Sequence, residues 1–525
     1  MHKGMIFLYG PSGSGKTSLG GVLAEQLRLP FVDLDQEIVK EAGLSIPEIF
    51  VQRGEAGFRQ VEKSILGQAL RESRQVVALG GGALLDPENR QNVEANGQVV
   101  CLTASLDQLV QRLGFEPDSR PLLAGDASLR LQKLLAERGE HYASFPIQVD
   151  TGNQPLDEIA RQVQVKLGEF RVTGMGDGYD VLVLPGGLDS LGDLIIEHAQ
   201  SGRVAVVSDA NVAAIYGERV VQALRRIGLT TELVEIPAGE QNKTLETVAS
   251  LWERFIQLRL DRGSLVVALG GGVTGDLAGF AAATFLRGIP WVAVPTSLLA
   301  MVDASLGGKT GFDLKQGKNL VGAFYSPRLV LADPSTLKTL PPAELRSGMA
   351  EAIKSGIVGD PVLFGLCSQG WDVIWEHMDE IISRSMAVKV DLIQADPYEK
   401  GPRAALNLGH TVGHALEQAS DYSLLHGEAV AIGMLNEARL SEALSLARPG
   451  LAQEIEAVLR GVDLPTRIPS GLEPAFILEA MKVDKKNVAG ELHFALPVNI
   501  GQVQVRVKVV GDDLTTLEKL IGSDL

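Results

Sequence analysis

A glycine-rich loop near the start of the chain places the tightest limit on its fold. Residues 10–17 read Gly-Pro-Ser-Gly-Ser-Gly-Lys-Thr and lie between the apolar segment Met5–Tyr9 and the helical pattern Ser18–Leu27. Glycines in such a loop let successive backbone N–H groups converge on phosphate, and the N-terminus of the next helix attracts the same anion. The pattern therefore predicts a strand–loop–helix unit of a parallel α/β sheet with a nucleotide site.

Side chains in and after this loop suit a nucleoside triphosphate with Mg²⁺. Lys16 would neutralise charge on the β- and γ-phosphates, and Thr17 would ligate the metal. Asp33 and Asp35 follow at the end of the next predicted strand, on one face. Alone they suit a solvated strand end, but here they suit one carboxylate near Mg²⁺ and one that accepts hydrogen bonds from an acceptor. The predicted ATP-binding loop residues are Gly13, Ser14, Gly15, Lys16, Thr17 and Ser18, and the predicted Mg²⁺ ligands are Thr17 and Asp33.

Ordered motifs across residues 5–165 resemble those of shikimate kinases. They read Asp-Leu-Asp at 33–35, Gly-Glu-Ala-Gly-Phe-Arg at 54–59, Ala-Leu-Gly-Gly-Gly at 78–82, Arg-Pro-Leu-Leu at 120–123, and Arg138 with Tyr142. The resemblance implies ATP-dependent phosphorylation of shikimate to shikimate 3-phosphate, with Asp35 and Lys16 catalytic and Arg120 in a lid over ATP. The implied shikimate site consists of Asp35, Arg59, Gly81 and Arg138.

Another small polyol acid, such as gluconate, is the alternative acceptor, because gluconate kinases share the phosphate loop. The pair Arg59 and Arg138, with Asp35, favours shikimate, since guanidinium forks bind carboxylates through paired hydrogen bonds. Gly20-Gly21 departs from the Gly-Arg usual in related chains, but it carries none of the predicted chemistry.

Periodicity along the chain predicts an α/β multidomain protein. A P-loop kinase parallel sheet occupies residues 1–168, and a glycine-rich linker spans 169–179, where the periodicity fails. A Rossmann-like α/β nucleotide domain follows at 180–336, and a mainly α-helical metal-binding domain at 337–525. Val-Val-Ala-Leu-Gly-Gly-Gly occurs at both 76–82 and 266–272, but the flanking residues differ. The repeat is therefore interpreted as two independent strand ends where a ligand meets backbone.

Polar residues in the second α/β segment follow the predicted strands at their carboxyl ends, where open α/β sheets bind nucleotides. The glycine turn at 270–272 lacks the Gly-x-Gly-x-x-Gly spacing, so by itself it is a weak dinucleotide signal. Taken together, these turns predict a dinucleotide site. Its candidate residues are Asp209, Asn211, Glu240, Lys243, Gly271, Gly272, Val273, Asp276, Thr296, Ser297 and Leu299.

Three histidines lie close together in the helical segment. His410 and His414 are one helical turn apart, and His426 follows in Leu-His-Gly-Glu. The block His-Thr-Val-Gly-His lacks the glutamate of His-Glu-x-x-His, which argues against a zinc protease. Three histidines with nearby carboxylates favour a divalent metal.

The strings across residues 180–505 closely resemble 3-dehydroquinate synthase. They include Gly-Asp-Leu-Ala-Gly-Phe-Ala-Ala-Ala-Thr at 275–284, Val-Asp-Ala-Ser-Leu-Gly-Gly-Lys-Thr at 302–310, Ala-Glu-Ala-Ile-Lys at 350–354, and the histidine block. The resemblance implies NAD- and metal-dependent conversion of 3-deoxy-D-arabino-heptulosonate 7-phosphate to 3-dehydroquinate and phosphate. It implies that NAD⁺ oxidises an alcohol, phosphate is eliminated, the carbonyl is reduced again, and the ring then opens and closes by an aldol step.

The same resemblance assigns residues to this site. Glu351, His410 and His426 are the implied ligands of Zn²⁺ or Co²⁺. The NAD site gains Asp303, Lys309, Lys318 and Asn319. The implied heptulosonate phosphate site consists of Lys309, Asn319, Lys354, Lys389, Arg403, Asn407, His414 and Lys485, of which Lys309, Lys354, Arg403 and His414 are catalytic.

Some features depart from this pattern and leave alternatives open. Pro397 and Pro402 flank a usually glycine-rich acidic loop, while Ser297 and Leu408 replace a usual Thr and a usual aromatic residue. Cyclases of sedoheptulose phosphate share the metal and NAD framework, so the second half could be one of these. The other alternative is that only one half of the chain is catalytic and the other half is a degenerate module for assembly or regulation. Both implied reactions belong to aromatic amino acid biosynthesis, but two further steps separate them, so channelling is not supported.

Bulk composition limits the partners to small molecules. The formal net charge of −17 argues against nucleic acid or an anionic membrane as a general partner. Two distant cysteines, Cys101 and Cys367, predict buried thiols in a reducing compartment. Charged residues interrupt the most apolar region, 265–302, so no membrane span is predicted and we expect a cytoplasmic protein. Family resemblance adds the expectation of a homodimer through the cyclase half.

Overall fold

The computed structural model describes residues 4–114, 127–200, 202–483 and 492–523. Contacts divide the chain into two compact units, Met1–Leu167 and Gly168–Leu525. Each unit is described by itself.

The first unit is a five-stranded parallel sheet in the order β2-β3-β1-β4-β5. Its strands are β1 Met5–Tyr9, β2 Phe31–Asp33, β3 Val76–Ala78, β4 Gly97–Thr103 and β5 Ile147–Asp150. Its helices are α1 Lys16–Leu27, α2 Leu34–Ala42, α3 Ile46–Ala69, α4 Pro87–Asn96, α5 Leu106–Leu113, α6 Ala127–Ala143 and α7 Leu156–Leu167.

Strand β1 shows why helices cover both faces of this sheet. Successive strand side chains point to opposite faces, and every residue of β1 is apolar and buried. Phe7 and Tyr9 pack into one hydrophobic core, with helices α2 and α3, while Ile6 and Leu8 pack into the other, with α1 and α7. The all-apolar sequence of β1 therefore requires a central strand, as the sequence predicts.

The second unit is built on a seven-stranded sheet in the order β6-β7-β14-β11-β10-β8-β9. Hairpins β12–β13 and β15–β16 lie outside it. The strands are β6 Glu169–Val172, β7 Tyr179–Val183, β8 Arg203–Asp209, β9 Thr230–Ile236, β10 Leu265–Gly270, β11 Trp291–Pro295, β12 Lys309–Leu314, β13 Gly317–Phe324, β14 Leu329–Ala332, β15 Leu492–Asn499 and β16 Gln502–Val509.

Most of the helices in this unit follow β14, the last strand of the large sheet along the chain, so an α/β part is succeeded by a mainly helical part, as predicted. They and the earlier helices of the unit are α8 Leu191–Ile195, α9 Ala210–Val212, α10 Glu218–Arg225, α11 Leu245–Gln257, α12 Gly272–Thr284, α13 Pro342–Gly359, α14 Pro361–Cys367, α15 Trp371–Glu376, α16 Met378–Ala395, α17 His410–Ala419, α18 His426–Ala443, α19 Leu451–Gly461, α20 Pro474–Val483 and α21 Asp512–Ser523. The predicted fold class is confirmed, whereas the division into 180–336 and 337–525 stays a prediction.

The predicted linker at 169–179 is wrong for its first four residues and for its last, Tyr179, which begins β7. Glu169–Val172 forms β6, which pairs antiparallel with β7 at the edge of the large sheet. Phe170 and Val172 are fully buried, and this burial holds the strand in place. The glycines at 174, 176 and 178 lie in the turn of the resulting hairpin, where each has a positive φ.

Over the described residues, no helix combines the length and apolar character needed to cross a membrane.

Both cysteines are free and buried, and burial raises the pKa of the Cys101 thiol to about 11 and that of Cys367 to about 12. We expect neither thiol to react with Ellman's reagent at pH 8 in the folded chain, because the thiolate is the nucleophile. In guanidinium chloride, Ellman's reagent should react with both thiols, because unfolding exposes them. Fast reaction of the folded protein would contradict the buried positions.

Candidate active sites

The phosphate loop of the first unit brings its predicted residues together. Lys16 Nζ donates to the carbonyl oxygens of Gly10 and Pro11, each at 2.9 Å. Thr17 Oγ1 donates to Asp33 Oδ2 at 2.6 Å, so the two predicted Mg²⁺ ligands lie side by side. Helix α1 starts at Lys16, which turns its free backbone N–H groups toward the loop. The loop can therefore hold phosphate and a hydrated cation next to each other.

An arginine that no sequence motif indicated lies against this loop. Arg112, on α5, contacts the Gly13 carbonyl at 3.4 Å through Nη1. Its Nη1 also donates to Thr151 Oγ1 at 3.0 Å, and its Nη2 to the Thr151 carbonyl at 2.7 Å. Arg112 thus ties the loop to the end of β5. The predicted lid residue Arg120 lies outside the described residues.

The acceptor side of this site is organised around a buried carboxylate that the sequence analysis missed. Glu62 is 1% exposed and accepts from Arg59 Nη1 at 2.7 Å. Burial raises the pKa of Glu62, an effect that Arg59 opposes. Glu62 stands one helical turn after Arg59, and that spacing is the signal that could have revealed it.

The repeated glycines at 80–82 are needed because charged groups approach their backbone closely. A Cβ on Gly80 would lie 2.7 Å from Glu62 Oε1 and 3.3 Å from Asp35 Oδ1. A Cβ on Gly82 would lie 2.6 Å from Arg59 Nη2. The structure therefore brings together Asp35, Arg59 and the glycine turn, as predicted.

The carbonyl of Gly81 lies among donors from two other elements. Tyr142 OH donates to it at 2.8 Å and Arg138 Nη1 at 3.3 Å, both from α6. Tyr9 OH, at the end of β1, lies 3.4 Å away. The predicted substrate residue Arg138 is thus held beside Gly81.

In the second unit, a cleft opens at the glycine turn between β10 and α12. Its lining includes Gly271, Gly272, Asp276, Pro295 and Lys309. Because glycine has no side chain, a ligand can approach the backbone at the N-terminus of α12, where free N–H groups favour an anion. This geometry suits the pyrophosphate of a dinucleotide.

An ion pair stands at the wall of this cleft. Lys243 Nζ is 2.6 Å from Asp276 Oδ2 and donates to Asn319 Oδ1 at 2.7 Å. Burial raises the pKa of Asp276 to about 6, although Lys243 lowers it. Asn319 has a φ of 53°, and its N–H donates to Asp313 Oδ1 at 2.7 Å. The hairpin β12–β13 is thereby joined to the loop that carries Lys243.

The remaining dinucleotide candidates lie at the same edge of the sheet. Asp209 caps α9 through the N–H groups of Asn211 and Val212, and its Oδ2 accepts from Thr274 at 3.3 Å. Thr296 N donates to the Gly270 carbonyl at 3.0 Å. The other candidates occupy the following positions: Val273 in α12, Ser297 Oγ as acceptor of Ala300 N, Leu299 beside Gly348, and Glu240 at 4.0 Å from Lys318 Nζ.

Three residues from three helices converge on one point near the cleft. Donor atoms of Glu351, His410 and His426 lie within 4.8 Å of one another. Glu351 Oε1 is 3.7 Å from Nε2 of each histidine. This oxygen is buried and has no hydrogen-bond partner among the described residues. A nitrogen–oxygen donor set around an orphaned carboxylate oxygen fits a divalent cation.

Another carboxylate that the sequence analysis missed contacts one histidine of this cluster. Glu417 Oε2 is 3.4 Å from His426 Nδ1, and Glu417 Oε1 is 3.6 Å from Lys318 Nζ. Burial lowers the pKa of His426, but Glu351 and Glu417 outweigh it and raise the pKa to about 9. The surroundings of His426 thus favour positive charge. His414 lies with its ring centroid 5.2 Å from that of His410, beside the Glu351 cluster and outside it.

The predicted basic residues around the cluster are each held by an oxygen acceptor. Lys354 forms an ion pair with Glu351, and Lys389 Nζ is 2.5 Å from Asp303 Oδ1. Lys309 Nζ is 2.5 Å from Glu399, which also accepts from Asn407 Nδ2 at 3.0 Å.

Arg403 is almost fully buried and donates to the Pro397 carbonyl at 2.5 Å. Lys485 lies outside the described residues.

Comparisons with known proteins identify the family that each unit resembles. The shikimate kinase family model matches residues 12–167. The models for 3-dehydroquinate synthase match residues 233–347 for the N-terminal part and 348–487 for the C-terminal part.

Two relatives are 3-dehydroquinate synthases. That of Symbiobacterium thermophilum is 46% identical over 357 residues, which cover 66% of this chain and 97% of the relative. That of Pelobacter propionicus is 45% identical and covers 68% and 98%.

Solved structures are also similar to the second unit. A 2-deoxy-scyllo-inosose synthase complexed with carbaglucose-6-phosphate, NAD⁺ and Co²⁺ has a TM-score of 0.62 at 26% identity and covers 68% of this chain and 100% of that one. A 2-epi-5-epi-valiolone synthase from Streptomyces hygroscopicus, with NAD⁺ and Zn²⁺ bound, has a TM-score of 0.60 at 31% identity and covers 67% and 99%. The chain belongs to the 3-dehydroquinate synthase family and carries a shikimate kinase domain before it, so it is a fusion of the two enzymes.

The buried pair Lys354–Glu351 generates a stability prediction, since each side chain is 1% exposed. Lys354→Met should lower the free energy of unfolding of the metal-free second unit by about 3–5 kcal/mol, because it removes the ion-pair partner of a buried carboxylate. Lys354→Met combined with Glu351→Gln should recover most of that loss. All four tryptophans lie in the second unit, so urea unfolding followed by tryptophan fluorescence reports on it.

The exposed Lys338 supplies the matched control. Lys338→Met should change the unfolding free energy by no more than about 0.5 kcal/mol. A loss equally small for Lys354→Met would contradict the importance of the buried pair.

Proposed function

We propose that the two units catalyse two reactions of aromatic amino acid biosynthesis. The first unit transfers the γ-phosphoryl group of ATP to shikimate, which gives shikimate 3-phosphate. The second converts 3-deoxy-D-arabino-heptulosonate 7-phosphate to 3-dehydroquinate and phosphate, with NAD and Zn²⁺ or Co²⁺. The observation that carries the proposal is the convergence of Glu351, His410 and His426 beside a dinucleotide-like cleft, in a chain whose first unit holds a complete phosphate loop.

In the first unit, the position of each residue supports the role proposed for it. Lys16 and the loop N–H groups hold the β- and γ-phosphates, and Thr17 with Asp33 holds Mg²⁺. Asp35 orients the acceptor hydroxyl from beside Gly80. Arg59 and Arg138 flank the glycine turn, which suits them to grip the shikimate carboxylate. Glu62 holds Arg59 in place for that contact.

In the second unit, the donor set fits the proposed metal. Glu351 Oε1 is buried without a partner among the described residues and faces both histidines, as a ligand oxygen would. When bound, the cation supplies Lewis-acid polarisation of a substrate oxygen, and NAD⁺ accepts hydride. Asp276 lines the cofactor cleft and is paired with Lys243, and the cations described above hold the substrate's carboxylate and phosphate.

Positive charge near the metal explains how an acidic chain can bind a doubly anionic substrate. Lys354 is paired with the proposed ligand Glu351, and Lys309, Lys389 and Arg403 are proposed to join it in the substrate pocket, while the whole chain carries a formal charge of −17. Local cations in a cleft concentrate positive potential where bulk charge opposes it. His414 lies next to the ligands, in position to exchange protons with substrate.

A related sedoheptulose phosphate cyclase is the alternative for the second unit, because solved structures of a 2-deoxy-scyllo-inosose synthase and a 2-epi-5-epi-valiolone synthase, each with NAD⁺ and a divalent metal, are similar to it. The higher identity to 3-dehydroquinate synthases, 46% against 26% and 31%, supports the heptulosonate substrate. The alternative that only one unit is catalytic is opposed by the presence of Lys16, Thr17 and Asp35 in the first unit and of Glu351, His410 and His426 in the second.

Paired assays test both functions on one preparation. The purified chain should phosphorylate shikimate with ATP, and separately release phosphate from the heptulosonate phosphate. Lys16→Ala should lower the first activity at least about 100-fold because a phosphate contact is lost, and leave the second unchanged. His410→Ala should lower the second activity and the bound metal, measured by mass spectrometry, and leave the first unchanged.

Exposed residues of the same types supply the controls. Lys40, with 77% of its side chain exposed, and His377, with 41%, make no contact with either proposed site among the described residues. Lys40→Ala and His377→Ala should retain both activities. Absence of one wild-type activity in folded, metal-loaded protein would refute the dual function.

A homodimer through the second unit is also proposed. The hairpin β12–β13 exposes apolar side chains, with Leu320 at 43% and Phe324 at 52% exposure, as contact surfaces do. Light scattering should give twice the chain mass of 56.0 kDa. Leu320→Asp should shift the mass toward one chain, whereas the control Val51→Asp on the first unit should not; a monomeric wild type would refute the proposal.

A further inference from the structure

A tyrosine–histidine pair in the first unit lies outside the roles assigned so far. Tyr9 is the last residue of β1 and is fully buried, and its hydroxyl lies 3.2 Å from His141 Nε2. The same hydroxyl lies 3.4 Å from the Gly81 carbonyl. A buried phenol needs a hydrogen-bond partner, and here both partners belong to segments that hold the acceptor side of the site.

The position of Tyr9 links the two halves of the catalytic cleft. The next residue, Gly10, supplies the carbonyl that accepts from Lys16 in the phosphate loop. Gly81 packs on that peptide, since a Cβ on Gly81 would lie 3.2 Å from Gly10 O. The hydroxyl of Tyr9 therefore stands where the phosphate loop and the acceptor turn meet.

His141 connects this junction to α6, the helix that carries Arg138. His141 stands three residues after Arg138, and its ring packs edge-on against Tyr9 and Phe145 at centroid distances of 5.7 and 5.3 Å. Burial lowers the pKa of His141, and Arg90 and Arg138 lower it further, which favours the neutral ring.

The hydrogen bonds can be satisfied together in one arrangement. With its hydrogen on Nε2, the neutral His141 donates to the Tyr9 oxygen, and Tyr9 then donates to Gly81. The result is a chain of hydrogen bonds from α6 through β1 to the acceptor turn, and such chains strengthen each member.

We propose that Tyr9 and His141 are positioning residues for the acceptor: their hydrogen-bonded pair sets Gly81 and Arg138 at the distance from the phosphate loop that the substrate carboxylate and hydroxyl require. The proposal rests on the proposed shikimate kinase function. Neither residue needs to touch the acceptor, since each acts through Gly81 or through α6.

Steady-state kinetics of the full chain test this role. Tyr9→Phe keeps the ring and removes the hydroxyl, so the KM for shikimate should rise about fivefold, while the KM for ATP and kcat change less than about twofold. His141→Leu should raise the same KM to a similar extent. If Tyr9→Phe prevents folding, the half-buried His141 variants carry the test.

A double variant distinguishes a functionally coupled Tyr9–His141 pair from two residues that act independently. If His141 acts through Tyr9, the combined change should raise the KM no more than about fivefold, since the second loss adds nothing. His141→Gln, which keeps a terminal donor, should restore the KM to within about twofold of the wild type. Tyr325→Phe removes a phenol bonded to the Ile289 carbonyl in the second unit and is the matched control, with unchanged kinase kinetics.

The results of these experiments separate the positioning role of Tyr9 and His141 from the shikimate kinase function on which it rests. A wild-type chain that cannot phosphorylate shikimate overturns both. An active chain in which Tyr9→Phe and His141→Leu leave the KM unchanged, or in which their effects multiply to about 25-fold, overturns only the positioning role.

Discussion

Both units depend on one constraint, which is that their central parallel strands are buried on both faces. A strand such as β1 or β10 has no free face for polar chemistry, since every one of its residues is apolar or glycine and buried. Charged groups must therefore collect where the strands end. The phosphate loop after β1, the glycine turn after β3 and the glycine turn after β10 all lie at carboxyl-terminal strand ends, where backbone N–H groups become available. The sites are thus a consequence of how the cores are built.

The same burial governs the electrostatics. Glu62, Glu351 and Asp276 each lie in surroundings that disfavour an isolated carboxylate, and each has a basic partner, Arg59, Lys354 and Lys243. Those partners are the residues proposed to bind anionic substrates or cofactors. Opposite charges placed in this way keep a functional cation ordered before ligand arrives, at the cost of desolvating both groups. The acidic surface of the chain is therefore compatible with two anion-binding sites.

Much of the fold and of both sites could be predicted from particular residues. The central strands and the phosphate loop follow from short-range spacing, because strand, loop and helix periodicities are local properties. The error at residues 169–172 has a physical reason. A short strand next to several glycines resembles a linker until the buried side chains of Phe170 and Val172 show that it pairs with β7. Arg112 was missed because it acts across a long sequence separation, on the Gly13 carbonyl. Glu417 was missed because it meets His426 only through the packing of α17 against α18.

The sequence by itself determined which chemistry each half can carry, since the phosphate loop, the histidine block and the ordered arginines are sets of residue types with few other uses. Only the tertiary structure decided how those groups meet. It placed Glu351 from α13 against histidines from α17 and α18, and it placed Tyr9 of β1 between Gly81 and His141. The reason is that local spacing sets the direction of a side chain, whereas the packing of distant elements sets its neighbours. One identical heptapeptide shows the difference, since its glycines face carboxylates and guanidinium groups in the first unit and line a dinucleotide-like cleft in the second.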